Sequence, residues 1–458
     1  MNTTLKHSLQ AQRDFFDSGQ TKDVAFRKNA LIKLQTAIAT HENAICDALY
    51  KDFKKPEFEA VATETMVVLQ ELKRCINHLE KWSKPQRVRP SLLNFPSKDV
   101  IYYEPYGSTL IIAPWNYPFQ LAIAPLIGAI AAGNTCVLKP SELASHTSGI
   151  LAKIIAEVFD PAHVSCVEGG VETAQELLAI RWDYIFFTGS VAVGKLVARA
   201  AAVHLTPTTL ELGGKNPCIV DKTAKVTLST KRIAWGKFLN AGQTCIAPDY
   251  VLVHESIKEE FYKALENAIT AAYGQSPQQA SDYPRIVNQK HFERLVHLLK
   301  GQKIIIGGET NPAEKYIAPT VLESPHIESE VMRDEIFGPI LPVFTYRSEE
   351  TIDEIISKYE KPLAVYVFTE SKTFAKKIIA KHSFGGGTIN DTVVHFVNHR
   401  LPFGGVGNSG MGAYHGKRSF TTFSHQKSIT FRATWLDIPL RYPPYGNKLK
   451  WLKKMMRL

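Results

Sequence analysis

The stretch Phe238-Leu-Asn-Ala-Gly-Gln-Thr-Cys-Ile-Ala-Pro-Asp-Tyr250 carries a single thiol, Cys245, with Gly242 three residues before it and Pro248 three after. Those flanking residues bend backbone rather than extend a regular element. A helical pattern runs into the stretch (Leu228 to Phe238) and a strand-like run, Tyr250-Val-Leu-Val-His254, leaves it. A thiol on a loop between two firm elements can be aimed into a cleft and act as a nucleophile; a lone cysteine can equally be a small buried apolar side chain. Three further groups suit such a nucleophile. Glu211, at a strand end before the pair Gly213-Gly214, has the chemistry of a general base if an apolar site raises its pKa, or of an ordinary paired surface carboxylate. Asn116, between Pro114 and Pro118, offers a neutral amide donor for an oxyanion, or simply forms a turn. Thr188-Gly-Ser-Val-Ala-Val-Gly194 joins a strand to a helix. Glycine there lets a phosphate approach the helix N-terminus, although the spacing is not GxGxxG. Lys139-Pro-Ser-Glu142 follows another strand. Its Lys139 has the reach for a ribose or phosphate, and its Glu142 can accept from a ribose hydroxyl; a solvated charged turn would look the same.

The elements that must position these groups follow from periodicity. Residues 1–82 read as helices, with Leu31, Leu34, Ile38, Ile45 and Leu49 on one face. From Ser108 onward short apolar runs alternate with helical patterns. Strands are expected at Thr109–Ala113, Thr135–Lys139, Val164–Glu168, Tyr184–Thr188 and Thr208–Leu212, then at Pro217–Val220, Val251–His254, Lys303–Ile306, Leu341–Tyr346, Ala364–Thr369 and Gly387–Asn390. This alternation is the signature of βαβ units. The expected fold class is therefore α/β, with two open-sheet domains and a small β bridging element. The expected division is 1–82 with 106–209 as a dinucleotide-binding domain, 210–408 as a catalytic domain, 83–105 with 425–433 as bridging strands, and 434–458 as a basic tail. Leu121–Ala132, wholly apolar but only 12 residues long, reads as a buried helix on a sheet rather than a membrane span.

Composition narrows the function classes. A chain of 458 residues, 45% hydrophobic and 21% charged, is long enough for two or three packed domains. A net charge of +10 suits an anionic ligand, and no interleaved basic and aromatic run suggests nucleic acid. Six scattered cysteines without a CxxC pair argue against disulfides or a metal site and for a reducing compartment, here the cytoplasm. The N-terminal MNTTLKHSLQAQRDFF lacks the apolar core of a signal peptide.

PWNYP, KPSE, FTGS, ELGGKNP, GQTC, EIFGPI and PFGGVGNSG occur in this order. The set resembles the aldehyde dehydrogenase superfamily from about residue 10 to residue 432. The forms NAGQTCIAPDY, Ala413-Tyr-His-Gly416 and LDIPLRYPPY resemble its class 3 branch, which acts on medium-chain, fatty and aromatic aldehydes. The resemblance implies that Cys245 is the nucleophile, Glu211 the general base and Asn116 the oxyanion donor. It further implies cofactor contacts by Trp115, Lys139, Glu142, Gly189, Ser190, Gly194, Leu212, Gly213, Glu335 and Phe337, with no metal. The implied reaction adds a thiolate to the carbonyl, passes a hydride to NAD or NADP, and hydrolyses the thioester with water activated by Glu211. NAD is favoured, since Glu142 would repel a 2′-phosphate.

Two other chemistries stay open at this level. One passes the acyl group to coenzyme A; the other is a cofactor-free thiol hydrolase using His254 or His415. His415 is read as bridging loops. The expected partners are a small aldehyde and a second copy of the chain in a homodimer. The basic tail is expected to close over the substrate mouth rather than contact a membrane.

Overall fold

A computed structural model describes residues 3–91 and 94–455 of the chain; residues 456–458 of the basic tail and 92–93 of the bridging segment lie outside them. Two open α/β sheets and one small antiparallel sheet make up most of the β structure. The six-stranded sheet has the order Gly410–Met411, Thr208–Glu211, Tyr184–Thr188, Ser108–Ile112, Thr135–Lys139, Val164–Cys166. All its pairings are parallel except that of Gly410–Met411 with Thr208–Glu211. The seven-stranded sheet runs Ile304–Ile306, Thr320–Glu323, Ile340–Tyr346, Tyr250–His254, Pro217–Val220, Ala364–Phe368, Gly386–Ile389. Only its first pairing is antiparallel. Ser108–Ile112, Tyr184–Thr188, Pro217–Val220 and Ala364–Phe368 are buried along their whole length, which is why they appear as continuous apolar runs and not as alternating ones.

Crossover helices cover the sheets. Ser145–Val158 and Val191–Ala202 are two of them. Gln120–Ala132 is buried at every position, including Pro125 within it, so it has no polar face at all. Gly133 ends it in the left-handed conformation, φ 97°. The N-terminal helices contribute Leu31, Leu34, Ile38, Ile45 and Leu49 to the core, each with no exposed surface.

In the third sheet Ser97–Pro105 pairs antiparallel with both Gln86–Val88 and Ser424–Arg432. Four strands were not expected from sequence, Thr310–Asn311, Tyr316–Ile317, Thr320–Glu323 and Gly410–Met411, and Gln86–Val88 had no range of its own within the bridging segment 83–105. Five expected strands stop one or two residues short, at Ile112, Cys166, Glu211, Phe368 and Ile389. Among the described residues no helix is long and apolar enough to cross a membrane.

Candidate active site

Strand order in the six-stranded sheet reverses direction between Ser108–Ile112 and Tyr184–Thr188. Such a reversal opens a crevice beyond the carboxyl ends of the strands. The chain leaving Ile112 supplies Trp115 and Asn116; the chain leaving Thr188 supplies Gly189 and Ser190; Glu211 ends the next strand and Leu212 and Gly213 follow it. Cys245 arrives from the other sheet and from the opposite strand polarity, since it precedes Tyr250–His254. Asn216, just before Pro217–Val220, fixes it by donating to the carbonyls of Cys245 (2.7 Å) and Ala247 (3.1 Å).

Cys245 and Glu211 line one cavity of about 160 Å³. Its remaining wall is almost wholly apolar and includes Leu121, Trp235, Val393, Phe396 and Phe403. Asn116 is not part of that wall. It is 3% exposed, and its amide donates to the Gln243 carbonyl at 3.0 Å, two residues from the thiol. Of the two N–H groups on that amide nitrogen, one is therefore anchored and one remains for an oxyanion.

Electrostatics at the site follow from burial. Neither carboxylate oxygen of Glu211 has a hydrogen-bond partner, and burial pushes its pKa well above the usual carboxylate range. Burial, then the Glu335 and Glu211 carboxylates, push the Cys245 thiol up, while the backbone N–H groups of Cys245 and Ile246 oppose this. Cys245 and Glu211 thus face one cavity, with burial raising the proton affinity of both, the kind of environment in which acid–base chemistry is tuned.

The turn before the thiol is left-handed at three successive residues: Asn240 (φ 53°), Ala241 (φ 51°) and Gly242 (φ 73°). For the two non-glycine residues this costs roughly 1–2 kcal/mol each. A Cβ at position 242 would also lie 2.3 Å from the Gly338 carbonyl oxygen. Hydrogen bonds compensate. Asn240 Nδ2 donates to the carbonyls of Asn116 (2.9 Å) and Gln243 (3.1 Å). Gln243 Nε2 donates to Asn240 and Arg285 carbonyls, and its Oε1 accepts from Val287 N–H.

The residues expected to hold a dinucleotide can be tested for fit. Ser190 caps the helix Val191–Ala202, its hydroxyl accepting from Val193 N–H at 3.4 Å. A Cβ at Gly194 would meet the tip of the Leu212 side chain at 2.6 Å, so any larger residue there would have to displace that leucine. Glu335 folds onto Gly213, where a Cβ would lie 1.9 Å from Oε2. Its Oε1 is buried without a partner. Burial, then Asp249, raise Glu335 to about 8. A buried Lys215–Asp249 pair (2.5 Å) holds this segment: Lys215 donates to Val331 and Asp334 carbonyls and Asp249 accepts from Ile336 N–H. Phe337, itself at φ 51°, sets its ring edge-on to Trp115 at 5.3 Å. Glycines at a capped helix start, an orphaned carboxylate and a buried lysine fit a dinucleotide. Lys139 Nζ sits 3.2 Å from Glu142 Oε2, so Glu142 is charge-compensated and the simple electrostatic case for NAD over NADP weakens.

Other expectations fare differently. His254 lies at the far end of its strand, bonded to Ser256, and no histidine is among the residues lining the cavity, which removes the pairing a thiol hydrolase needs. His415 is buried against Phe396, Phe403 and Tyr414, with burial lowering it to about 4. Among the described residues none of the tail lines the cavity, and at the start of the tail Asp437 lies 3.7 Å from Arg432. Sequence reasoning also missed Tyr117, whose hydroxyl bonds the Thr244 hydroxyl at 2.7 Å, and Trp235 and Tyr414 on the cavity wall. Their only signal was proximity to the motifs. Among the described residues no group of three or more His, Cys, Asp or Glu could hold a metal.

Comparison with known proteins gives a consistent result. The profile of the aldehyde dehydrogenase family matches residues 2–429. The chain is 49% identical to 4,4'-diaponeurosporen-aldehyde dehydrogenase of Staphylococcus aureus (strain NCTC 8325 / PS 47), covering 99% of each. It is 46% identical to the dimeric NADP-preferring aldehyde dehydrogenase of Canis lupus familiaris, covering 97% of this chain and 99% of that one. The solved substrate-bound state of Staphylococcus aureus AldH superposes with a TM-score of 0.97 at 48% identity, covering 100% of both chains.

Proposed function

Because this chain belongs to the aldehyde dehydrogenase family, and so oxidises an aldehyde with NAD or NADP, we propose that Cys245, Glu211 and Asn116 carry the reaction. Glu211 takes the thiol proton, and the thiolate adds to the aldehyde carbonyl. The free N–H of the Asn116 amide and the Cys245 backbone N–H hold the resulting oxyanion. Such a donor contributes about 3–4 kcal/mol. A bound NAD or NADP would supply the acceptor for the hydride that leaves as that oxyanion collapses. Ser190, Gly189 and Gly194 cradle its phosphates. Lys139 and Glu142 take one ribose, Glu335 and Phe337 the other, and Trp115, Leu212 and Gly213 complete the cleft. After passing that proton to solvent, Glu211 removes one from water, whose oxygen attacks the Cys245 thioester; the thiolate leaves and the carboxylic acid is released. Neutral Asn116 suits this cycle because it stabilises the anion without titrating.

The observation that carries this reading is one apolar cavity lined by both Cys245 and a partnerless Glu211. Its wall favours medium-chain, fatty or aromatic aldehydes over polar ones. The test is transient kinetics. Cys245→Ala gives no reduced cofactor. Glu211→Gln gives at most one slow turnover of it and a steady state about 10²–10⁴-fold below wild type. An undiminished steady state in Glu211→Gln would overturn the assignment.

Three finer readings belong with this one. Residues 1–82 with 106–209 form the cofactor domain, 210–408 the catalytic domain, and strands from 83–105 and 425–433 a bridge. The open strand Ser424–Arg432 at the edge of the small sheet supports a homodimer that pairs across it. The six free thiols support a cytoplasmic setting. Exposed Trp451 and Leu449 beside Lys450 and Lys453 now support surface contact with anionic lipid over the lid once expected of the tail.

A further inference from the structure

Glu59 and Glu64 flank a part of the molecule that the reaction itself does not use. A π turn, Val61–Thr65, separates the short helix Glu57–Ala60 from the helix Met66–Ser83. Ala62, Thr63 and Val67 line the substrate cavity. Glu59, 9% exposed, accepts from the Asn240 N–H at 3.1 Å. Glu64, fully buried, accepts from Lys55 Nζ through Oε1 (2.5 Å) and from the Phe119 and Gln120 N–H groups through Oε2 (2.9 and 3.0 Å). Lys55 Nζ also stands 4.1 Å over the ring of Tyr117, the neighbour of Asn116.

Residues five apart on an α-helix point about 140° away from each other. The i→i+5 pattern of the π turn lets both carboxylates reach the interior while Ala62 and Thr63 keep to the cavity. One carboxylate therefore grips the left-handed turn before Cys245, and the other grips the chain just after Asn116. Asn240 links the two grips, since its side chain bonds the carbonyls of Asn116 and Gln243.

We infer that Glu59, Glu64 and Lys55 are positioning residues: through them the helix that walls the substrate cavity sets the nucleophile turn and the oxyanion amide in register with each other. The inference rests on the roles given above to Cys245 and Asn116. A nucleophile and a donor displaced by about 1 Å lose on the order of 10²-fold in rate, so the clamp acts on kcat and not on dinucleotide affinity. A hydrogen bond to a carboxylate is stronger than one to a neutral acceptor, which suits a turn that is otherwise disfavoured.

The test is a kinetic comparison of folded variants. Glu59→Ala is expected to lower kcat by about 10–100-fold, leave KM for NAD(P) within about twofold, and slow alkylation of Cys245 by iodoacetamide in the cofactor-free enzyme. Glu59→Gln, which keeps an acceptor, recovers most of the loss. Because Glu59→Ala also removes a buried contact of the fold, a second variant, Lys55→Met/Glu64→Gln, removes the buried pair together and is expected to show the same split. Glu80→Ala, at the exposed end of the same helix, leaves both readouts unchanged. A kcat within about threefold of wild type in folded Glu59→Ala and in the double variant overturns the clamp, as does a loss that merely follows the melting temperature. Cys245→Ala separates the two levels: if it keeps activity the site assignment fails, and if it is inactive while Glu59→Ala is not, only the clamp fails.

Discussion

At the scale of single residues the site is a set of carboxyl groups kept from water. Glu335 illustrates the consequence for stability. Its folded pKa, about 8, lies above the ordinary carboxylate value. The fold therefore holds the proton more tightly than the unfolded chain does. Stability from this group is full below about pH 4.5 and is lost as pH rises through about 8. Replacing it with Gln removes the loss. Glu335→Gln should melt at the same temperature as wild type at pH 5 and about 1–3 °C higher at pH 9 by calorimetry; an equal shift at both values would contradict the burial argument. Asn116→Ala should lower kcat by about 10²–10³-fold with KM for the aldehyde little changed, since its spare N–H acts on the anion and not on the ground state. Lys139 and Glu142 are the pair proposed above to take one ribose. Glu142→Gln should shift the ratio of kcat/KM for NADP over NAD upward by about 3–10-fold, and an unmoved ratio would show that neither charge meets the 2′ position.

At the scale of elements, Gly242 is where sequence, strain and packing meet. Gly242→Ala places a methyl against the Gly338 carbonyl at φ 73° and should destabilise the fold by roughly 1–3 kcal/mol in urea unfolding while abolishing activity. This glycine, the thiol and the strand Tyr250–His254 were all legible in the sequence, because apolar runs and turn residues are local signals. So were the buried strands of both sheets. Thr320–Glu323 was not, being short and starting just after Pro319; Gln86–Val88 is exposed and sits in a proline-rich stretch; Gly410–Met411 hides in a run of glycines. The hold of Glu59 on Asn240 was invisible for a different reason. It spans 181 positions, and no periodicity reports a contact between a helix and a loop so far apart. That Cys245 and Glu211, from different sheets, line one cavity was likewise beyond reach, because it depends on how two sheets face one another.

At the scale of the whole molecule, the tail and the small sheet make separable demands. Removing residues 441–455 with the three that follow should leave kcat/KM for a short soluble aldehyde within about twofold and abolish flotation with anionic liposomes; retained flotation would place the lipid contact elsewhere. A proline at Ile429, mid-strand in the ladder with Ser97–Pro105, should shift the sedimenting species from twice the chain mass toward one. One last feature bears on handling. The helix Gln120–Ala132 is apolar on every side and wholly enclosed. Once heat frees it, nothing in its sequence favours water over another chain's copy of itself. Thermal inactivation should then end in precipitate, run faster in concentrated samples, and give an apparent midpoint that climbs with scan rate.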